Sequence, residues 1–419
     1  MFAMFAHCTE VALTSCSSAQ LWFWLSLEYG GGSEGSARTE VFVDYRSEFG
    51  DFEGTTYLDC AGQAPLPLKS VRAAQAALEQ KKLPYRIPDE EYFGLPDRIR
   101  GLLARLLHGD AGEFAVTSGA SSGMIVVASN IDWKPDDEVL IGRGEFPAHF
   151  STFTPLADSG RLRLKIVTPR ERFFRASDYI ERFTPHTRLV SVSLVRFDDG
   201  ALLDAENLAE ACRKSGVILL LDMSQCACAI PIDLRALGAD FAVSSGYKWL
   251  LSPYGTGFFW ARRESMEKLR PGPFYWKALE GARNFHSLNI TKIAAVPGAS
   301  RWDAPETAAF TNLAAMQASL EFIESIGIEA IVEHNKRLIA QLIERLPRDT
   351  CVLASPQAAE NRGSFLCVAA RKPERTKEFY ERLRDAQVFV SLREGSLRIS
   401  PYLYNTERDI AKLIGILST

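Results

Sequence analysis

Between residues 110 and 261, short apolar runs alternate with amphipathic stretches, and this alternation limits the possible folds more than any other feature of the sequence. Several runs are apolar at consecutive positions, as expected for strands that helices cover on both faces. This order predicts an α/β fold with a mostly parallel sheet. Residues 205–215 form a candidate helix between two of the strands. The candidate strands are 114–117, 138–141, 163–167, 189–193, 217–221, 241–244 and 257–260.

The pattern changes after about residue 300. Apolar residues recur every three or four positions over 310–323 and again over 338–346, which indicates two long amphipathic helices. Short candidate strands follow at 364–369 and 387–392, and an amphipathic tail begins at Glu407. This mixture is typical of a small α+β domain.

The length of 419 residues is enough for two to three domains. Residues 1–40 lack a basic start and a long apolar run, and 30–36 is rich in Gly and Ser, so we predict a flexible extension that is neither signal nor membrane anchor. We expect a large domain at 41–295 and a smaller C-terminal domain at 296–419. The segment 41–60 is expected to pack on the small domain.

Charge and cysteine content exclude several function classes. The chain has 48 Lys plus Arg against 52 Asp plus Glu, which gives no basic surface for nucleic acid or an anionic membrane. Its eight cysteines include no CxxC pair and no accompanying His cluster, so neither a disulfide framework nor a metal site is predicted. We expect reduced thiols in a cytoplasmic protein.

Two strand ends carry residues that are suited to chemistry. Asp222 directly follows the apolar run 217–221, and ligands of open parallel sheets bind outside the carboxyl ends of the strands. Lys248 follows the next strand, between Tyr247 and Trp249. Alone, each would fit a surface turn or a solvated charge. Together they favour an acid beside an amine nucleophile whose pKa burial can lower.

A third motif lies at the end of the first strand. Residues 117–123, Thr-Ser-Gly-Ala-Ser-Ser-Gly, precede an apolar helical stretch, so backbone N–H groups and a helix dipole can hold a phosphate. The motif matches neither the P-loop nor the dinucleotide fingerprint. A phosphate cradle, an acid and a lysine at one sheet edge are what pyridoxal 5'-phosphate (PLP) requires.

At these residues the chain resembles the class V aminotransferase-like PLP enzymes of fold type I. This group includes cysteine desulfurases, selenocysteine lyases and isopenicillin N epimerase. The resemblance covers residues 41–419 and implies a large PLP-binding domain with a smaller C-terminal domain. Its motifs are 57–67, 117–123, 222–225, 245–248 and 397–407.

The resemblance implies roles at the cofactor. Lys248 would hold PLP as a Schiff base and move the substrate proton, and Asp222 would keep the ring nitrogen protonated. Gln225 would contact the phenolic oxygen of PLP, and Phe146 would stack on the ring. The phosphate ligands implied within the same chain are Ala120, Ser121, Ser245 and Tyr247.

It also implies a partner and a substrate site. Thr307 would reach the phosphate of the neighbouring subunit, which makes a homodimer expected. The Arg398 guanidinium would clamp the carboxylate of an amino-acid substrate, with Arg393 assisting.

Two departures from the desulfurases bear on the reaction. They carry a cysteine shortly before the substrate arginine, whereas only residues 394–397 separate Arg393 from Arg398, and none is cysteine. Phe146 stands where they carry a histidine, and its ring cannot move a proton. We therefore predict an aminotransferase acting on an α-amino acid or related amine. Epimerisation, a C–S lyase or desulfurase-type β-elimination, and a non-catalytic PLP-fold binding module stay open.

Overall fold

A computed structural model describes residues 44–272, 275–288, 291, 293–307 and 309–419. The extension predicted at residues 1–40 lies outside the described residues. Within the described part of the chain, none of the helices is both long and apolar enough to cross a bilayer.

The described residues form strands and α-helices that we number in chain order. The strands are β1 (Thr56–Tyr57), β2 (Phe114–Thr117), β3 (Glu138–Gly142), β4 (Arg163–Val167), β5 (Thr187–Ser193), β6 (Ile218–Asp222), β7 (Phe241–Ser245), β8 (Gly257–Ala261), β9 (Cys351–Leu353), β10 (Leu366–Ala370), β11 (Val388–Phe389), β12 (Ser391–Arg393) and β13 (Ser396–Ile399). The helices are α1 (Leu68–Lys81), α2 (Glu91–Leu106), α3 (Ala120–Asn130), α4 (Pro147–Asp158), α5 (Ala176–Ile180), α6 (Ala205–Ser215), α7 (Phe310–Ile326), α8 (Ile328–Arg345), α9 (Arg375–Asp385) and α10 (Glu407–Leu417).

Seven strands form one sheet in the order β2-β8-β7-β6-β5-β3-β4. All neighbours are parallel except β8, which runs antiparallel to both β2 and β7. In β6, Leu219 and Leu221 belong to one hydrophobic core, while Ile218 and Leu220 belong to another. Apolar residues at consecutive positions therefore cover both faces, and the predicted mostly parallel sheet is confirmed.

The helix between β5 and β6 has clear start and stop signals. The Asp204 carboxylate accepts a hydrogen bond from the Asn207 N–H at 3.2 Å and caps the N-terminus of α6. At the other end Gly216 adopts a φ of 68°, which an L side chain rarely tolerates. The local sequence therefore sets the bounds of α6, and they coincide with the predicted 205–215.

A smaller antiparallel sheet with the order β12-β13-β10-β9 lies in the C-terminal part and shares a core with α9 and α10. The first described segment packs here, because β1 pairs with β11 and Arg46 forms an ion pair with Asp409 at 3.0 Å. The small α+β unit is thus present, whereas a boundary at 295/296 stays a prediction.

The structure differs from the predicted strands mainly in this sheet and in the two-stranded parallel sheet that β1 forms with β11. The single strand expected at 387–392 is two short strands, β11 and β12, with Val390 between them. The sequence pattern did not indicate β1, β9 or β13. Strands of two to four residues are too short to show a period-two pattern, which accounts for the omission.

Candidate active site

The carboxyl ends of β6 and β7 bring the predicted acid and lysine together. The two strands are parallel neighbours, with Asp222 opposite Val243, and Lys248 lies three residues beyond the end of β7. Both side chains are buried, Asp222 at 5% and Lys248 at 6% relative exposure. Two ionisable groups withdrawn from water at one sheet edge are typical of a functional site.

Aromatic rings surround the Lys248 amine. Its Nζ lies 5.2 Å from the ring centre of Phe146 and 5.6 Å from that of Tyr247. Burial lowers the pKa of Lys248 to about 8, against the opposing effect of the Asp222 carboxylate and with a further lowering by Arg398. Near neutral pH a larger fraction of this amine is therefore uncharged and nucleophilic than for an ordinary lysine.

The Asp222 carboxylate is held on two sides. Its Oδ1 accepts a hydrogen bond from the Ser224 N–H at 2.8 Å. Its Oδ2 lies 3.8 Å from Nε2 of His149, a fully buried residue of α4. The orientation of the carboxylate is thus set by its neighbours.

The predicted phosphate turn lies next to the end of β7. The Ala120 N–H, at the start of α3, donates to the Ser245 hydroxyl at 3.4 Å. Gly119 caps this helix with a φ of 148°, and a side chain on Gly257 would overlap the Ser244 carbonyl oxygen. The close backbone approach and the free N–H groups of the helix form a cradle for an anion.

Ser121 and Tyr247 lie at the rim of this cradle. Ser121 is exposed in the first turn of α3. The Tyr247 ring stacks on Tyr254 at 4.1 Å between ring centres. Burial raises the pKa of Tyr247 to about 12, with further raising by Tyr254, so its hydroxyl stays protonated at neutral pH.

The Gln225 side chain links the segments that contain Ala61 and Trp249. Its Nε2 donates to the Ala61 carbonyl at 3.0 Å, and its Oε1 accepts from the Trp249 indole at 3.1 Å. Both ends of the amide are therefore engaged, which fixes the side chain.

Arg398, on β13, faces the lysine from the small sheet and is only 2% exposed. Its Nη1 donates to the Phe197 carbonyl at 3.1 Å, and its Nη2 donates to the Asp59 carboxylate at 3.3 Å. Burial lowers the pKa of Arg398, opposed by Asp59. Arg393 is exposed on β12, and its charge further lowers the pKa of both Lys248 and Arg398.

Thr307 lies apart from this group. It is buried and lines a separate cavity of about 280 Å³ together with Lys277, Arg100 and Asp303. Within the described part of the chain its hydroxyl has no hydrogen-bond partner. The structure of this single chain therefore brings the predicted residues of the large domain to one edge of the large sheet and places Arg398 and Arg393 on the small sheet, while Thr307 lies in a separate cavity.

Two residues of the site were missed. His149 follows Phe146 by three positions, and Asp59 lies within the motif 57–67, but the sequence pattern indicates no role for either. Their proximity to Asp222 and Arg398 depends on the tertiary fold. The sequence shows only that each is a polar residue directly after an apolar one, and this pattern is too common to indicate a functional residue.

These residues fit PLP. A buried amine with a lowered pKa, a buried acid at the neighbouring strand end and a helix N-terminus meet at one edge of the sheet. The fold and the site define a fold type I PLP-dependent enzyme.

Comparison with known proteins agrees with this class. The family model "Aminotransferase class-V" matches residues 56–413, and the chain belongs to this family.

Curated relatives have names that imply different reactions. An uncharacterized aminotransferase, YcbU of Bacillus subtilis, is 24% identical over 88% of this chain and 95% of its own length. A probable cysteine desulfurase of Borreliella burgdorferi is 25% identical over 60% of each chain.

Among solved structures, the cystine C-S lyase C-DES in complex with cysteine persulfide superposes with a TM-score of 0.79. It is 20% identical and covers 88% of this chain and 99% of its own. At this identity the likeness concerns the fold alone.

Proposed function

We propose that this PLP-dependent enzyme cleaves the C–S bond of a sulfur-containing α-amino acid by β-elimination. One observation carries the proposal: a buried amine, Lys248, and a buried guanidinium, Arg398, lie close enough for the second to lower the pKa of the first. This pair would supply a proton-transfer group and a carboxylate clamp for an amino-acid substrate.

When bound, PLP supplies an aldehyde that captures the substrate amine and a ring that accepts electrons from Cα. Lys248 Nζ would hold the cofactor and would move the Cα proton of the substrate. Asp222 would pair with the ring nitrogen, and Phe146 would pack against the ring. These side chains are buried or half-buried, so the proton moves in surroundings that exclude much of the water.

The remaining predicted residues bind and orient. The α3 N-terminus with Ala120, together with Ser121, Ser245 and Tyr247, would hold the phosphate through N–H and O–H donors. The Gln225 amide, fixed by Ala61 and Trp249, would contact the phenolic oxygen of the ring. Arg398 would hold the substrate carboxylate, and Arg393 would add positive charge.

The state of the cysteines favours elimination over a desulfurase route with an enzyme persulfide. The six cysteines of the described residues are unpaired and buried. Cys367, opposite Arg398 in the β10–β13 pairing, donates to the Asp198 carbonyl at 3.2 Å, and burial raises its pKa to about 12. A protonated, occupied thiol is a poor nucleophile. Elimination needs no cysteine of the enzyme.

Transamination is the second candidate, because the relative named as an aminotransferase matches 88% of the chain. Product analysis separates the reactions. The purified enzyme is incubated with L-cysteine or L-cystine, with and without a 2-oxo acid, and pyruvate, ammonia, sulfide, alanine and chirality are followed. For cysteine, elimination converts substrate and water to pyruvate, ammonia and sulfide in equal amounts without a 2-oxo acid.

Each other outcome contradicts the proposal in its own way. Turnover that requires a 2-oxo acid indicates transamination, and alanine with transferred sulfur indicates desulfuration. Loss of chirality without other products indicates epimerisation. No turnover of cysteine or cystine, with PLP bound, is the outcome expected for a non-catalytic binding module. Lys248→Met is the inactive control for all assays.

We also propose a homodimer in the cytoplasm. The buried Thr307 hydroxyl lacks a partner among the described residues, which supports a role toward the phosphate of a second subunit. Unpaired cysteines support a reducing compartment. Sedimentation of wild type and Thr307→Val with and without PLP tests the assembly. A PLP-saturated monomer with full activity would contradict it.

A further inference from the structure

A buried polar chain continues from Asp222 away from the lysine. His149, on α4, is 0% exposed, and its Nε2 lies 3.8 Å from Asp222 Oδ2 and 3.8 Å from Glu145 Oε2. The same Nε2 lies 3.5 Å from the Ser193 hydroxyl, so this ring nitrogen stands between one hydroxyl and two more distant buried carboxylates. Groups of this kind are costly to bury unless each is compensated.

The other ring nitrogen determines which tautomer fits. His149 Nδ1 lies 2.7 Å from the hydroxyl of Ser191, a fully buried residue of β5. If the Ser191 hydroxyl donates to Nδ1, the ring proton is on Nε2 and faces the carboxylates. The opposite tautomer would place the Nε2 lone pair against two acids, so the first arrangement is favoured.

Glu145 has other partners that compensate its charge. It accepts hydrogen bonds from the Ser193 N–H at 3.1 Å and from the Ser193 hydroxyl at 2.6 Å. Arg196 Nη1 lies 3.7 Å away. Asp222 has the single Ser224 N–H on Oδ1 and the more distant charge of Lys248. The Nε2 proton therefore matters more to Asp222 than to Glu145.

We propose that His149 is a positioning residue for Asp222: its Nε2 edge lies 3.8 Å from Oδ2, longer than a hydrogen bond, and its electrostatic attraction holds the carboxylate ready for the ring nitrogen of PLP. This inference rests on the proposed role of Asp222. Ser191 sets the ring orientation, and Ser193, Glu145 and Arg196 complete the buried network behind it. The residue acts only through Asp222, so its effect depends on the presence of a ring nitrogen in the ligand.

That dependence gives a test by equilibrium binding. The apoprotein is titrated with PLP and with its 1-deaza analogue, in which C–H replaces the ring nitrogen. His149→Asn is expected to weaken PLP binding about 10-fold and to change binding of the analogue less than two-fold. Asp222→Asn should likewise weaken binding of PLP more than binding of the analogue. In the double variant, His149→Asn should cause no further loss of affinity for PLP relative to the analogue.

Ser191→Ala is the second variant, because it leaves the ring in place and removes only its orienting hydroxyl. We expect its affinity for PLP to fall about three-fold and its affinity for the 1-deaza analogue to stay unchanged. If His149→Asn does not fold, Ser191→Ala provides the test. If these variants lose the same affinity for both ligands, or lose affinity for neither, the inference is overturned and His149 has a structural role only. If the wild-type protein itself does not prefer PLP over the analogue, the proposed role of Asp222 fails instead.

Discussion

Two buried lysines of this chain have similar acidity but different surroundings. Lys248 is 6% and Lys277 8% exposed, and burial lowers the pKa of each to about 8. Lys277 Nζ donates to the Tyr92 carbonyl at 2.5 Å. Lys248 Nζ faces Phe146 and Tyr247, and none of the described residues accepts a hydrogen bond from it.

The charges around the two amines also differ. Lys277 lines the cavity that contains Arg100 and Asp303, which form an ion pair with each other. Lys248 lies at the ends of parallel strands, with Asp222 on one side and Arg398 on the other. A lowered pKa therefore does not define a catalytic lysine by itself. The free amine, the acid at the strand end and the nearby helix N-terminus do.

Replacing each lysine with methionine tests this comparison with the largest expected effect. Lys248→Met should lower kcat at least about 1000-fold, because it removes both the cofactor attachment and the proton-transfer group. Lys277→Met keeps most of the side-chain volume and should stay within about three-fold of wild type. Steady-state kinetics at saturating PLP measures both. Equal losses would show that the distinction between the two sites is wrong.

Replacing Arg398 should mainly change the KM for the amino-acid substrate. Arg398→Gln removes the proposed carboxylate clamp and should lower kcat/KM about 100-fold, mostly through KM, while the visible absorption of bound PLP is kept. Arg393→Gln, at an exposed position, should lower kcat/KM only about three-fold, because solvent screens the charge of Arg393. A loss of PLP absorption in Arg398→Gln would place this residue at the cofactor instead.

The lowered pKa of Lys248 predicts a pH profile for PLP capture by the apoprotein. Only the neutral amine reacts, so the rate should rise about five-fold from pH 7 to 8, reach half-maximum near pH 8 and level off above pH 9. Stopped-flow absorbance measures it, and a free alkylamine corrects for the titration of PLP. Lys277→Met should leave the profile unchanged. A rate still rising steeply at pH 10 would contradict the burial of Lys248.

The smallest effect concerns stability. The pKa of Lys277 is lowered in the folded state, so between about pH 8 and 10.5 the unfolded chain binds more protons and stability rises with pH. Lys277→Met should remove part of that rise. The Tm difference, variant minus wild type, should fall by about 2 °C from pH 7 to pH 10 in thermal scans. A constant difference would mean that the pKa of Lys277 is not lowered in the folded state.

The sequence predicted the features that depend on neighbouring strands. Runs such as 217–221 are apolar throughout, so they indicate buried parallel strands, and Asp222 and Lys248 follow from where those strands end. Residues that meet across the fold were not predictable. The Asp59–Arg398 pair joins positions 339 residues apart, and His149 meets Asp222 only after α4 packs on the sheet.

Thr307 shows the limit of inference by resemblance. The motif suggested a phosphate ligand, and in this chain the residue lies in the cavity with Lys277 rather than beside Ala120 or Ser245. A role toward a second subunit is a property of an assembly, which neither the sequence pattern nor one chain determines. Short strands such as β1 and β13 were not predicted for a different reason: two to four residues are too few to show a period-two pattern.

The central claim is that Lys248 is the amine that binds PLP, and its most direct test is to locate the bound cofactor. The PLP-loaded protein is reduced with borohydride, which converts the lysine–PLP linkage to a stable secondary amine, and is then digested and sequenced by mass spectrometry. We predict one modified residue per chain, Lys248, with Lys277 unmodified. Modification at Lys277, or spread over several lysines without preference, would contradict the account.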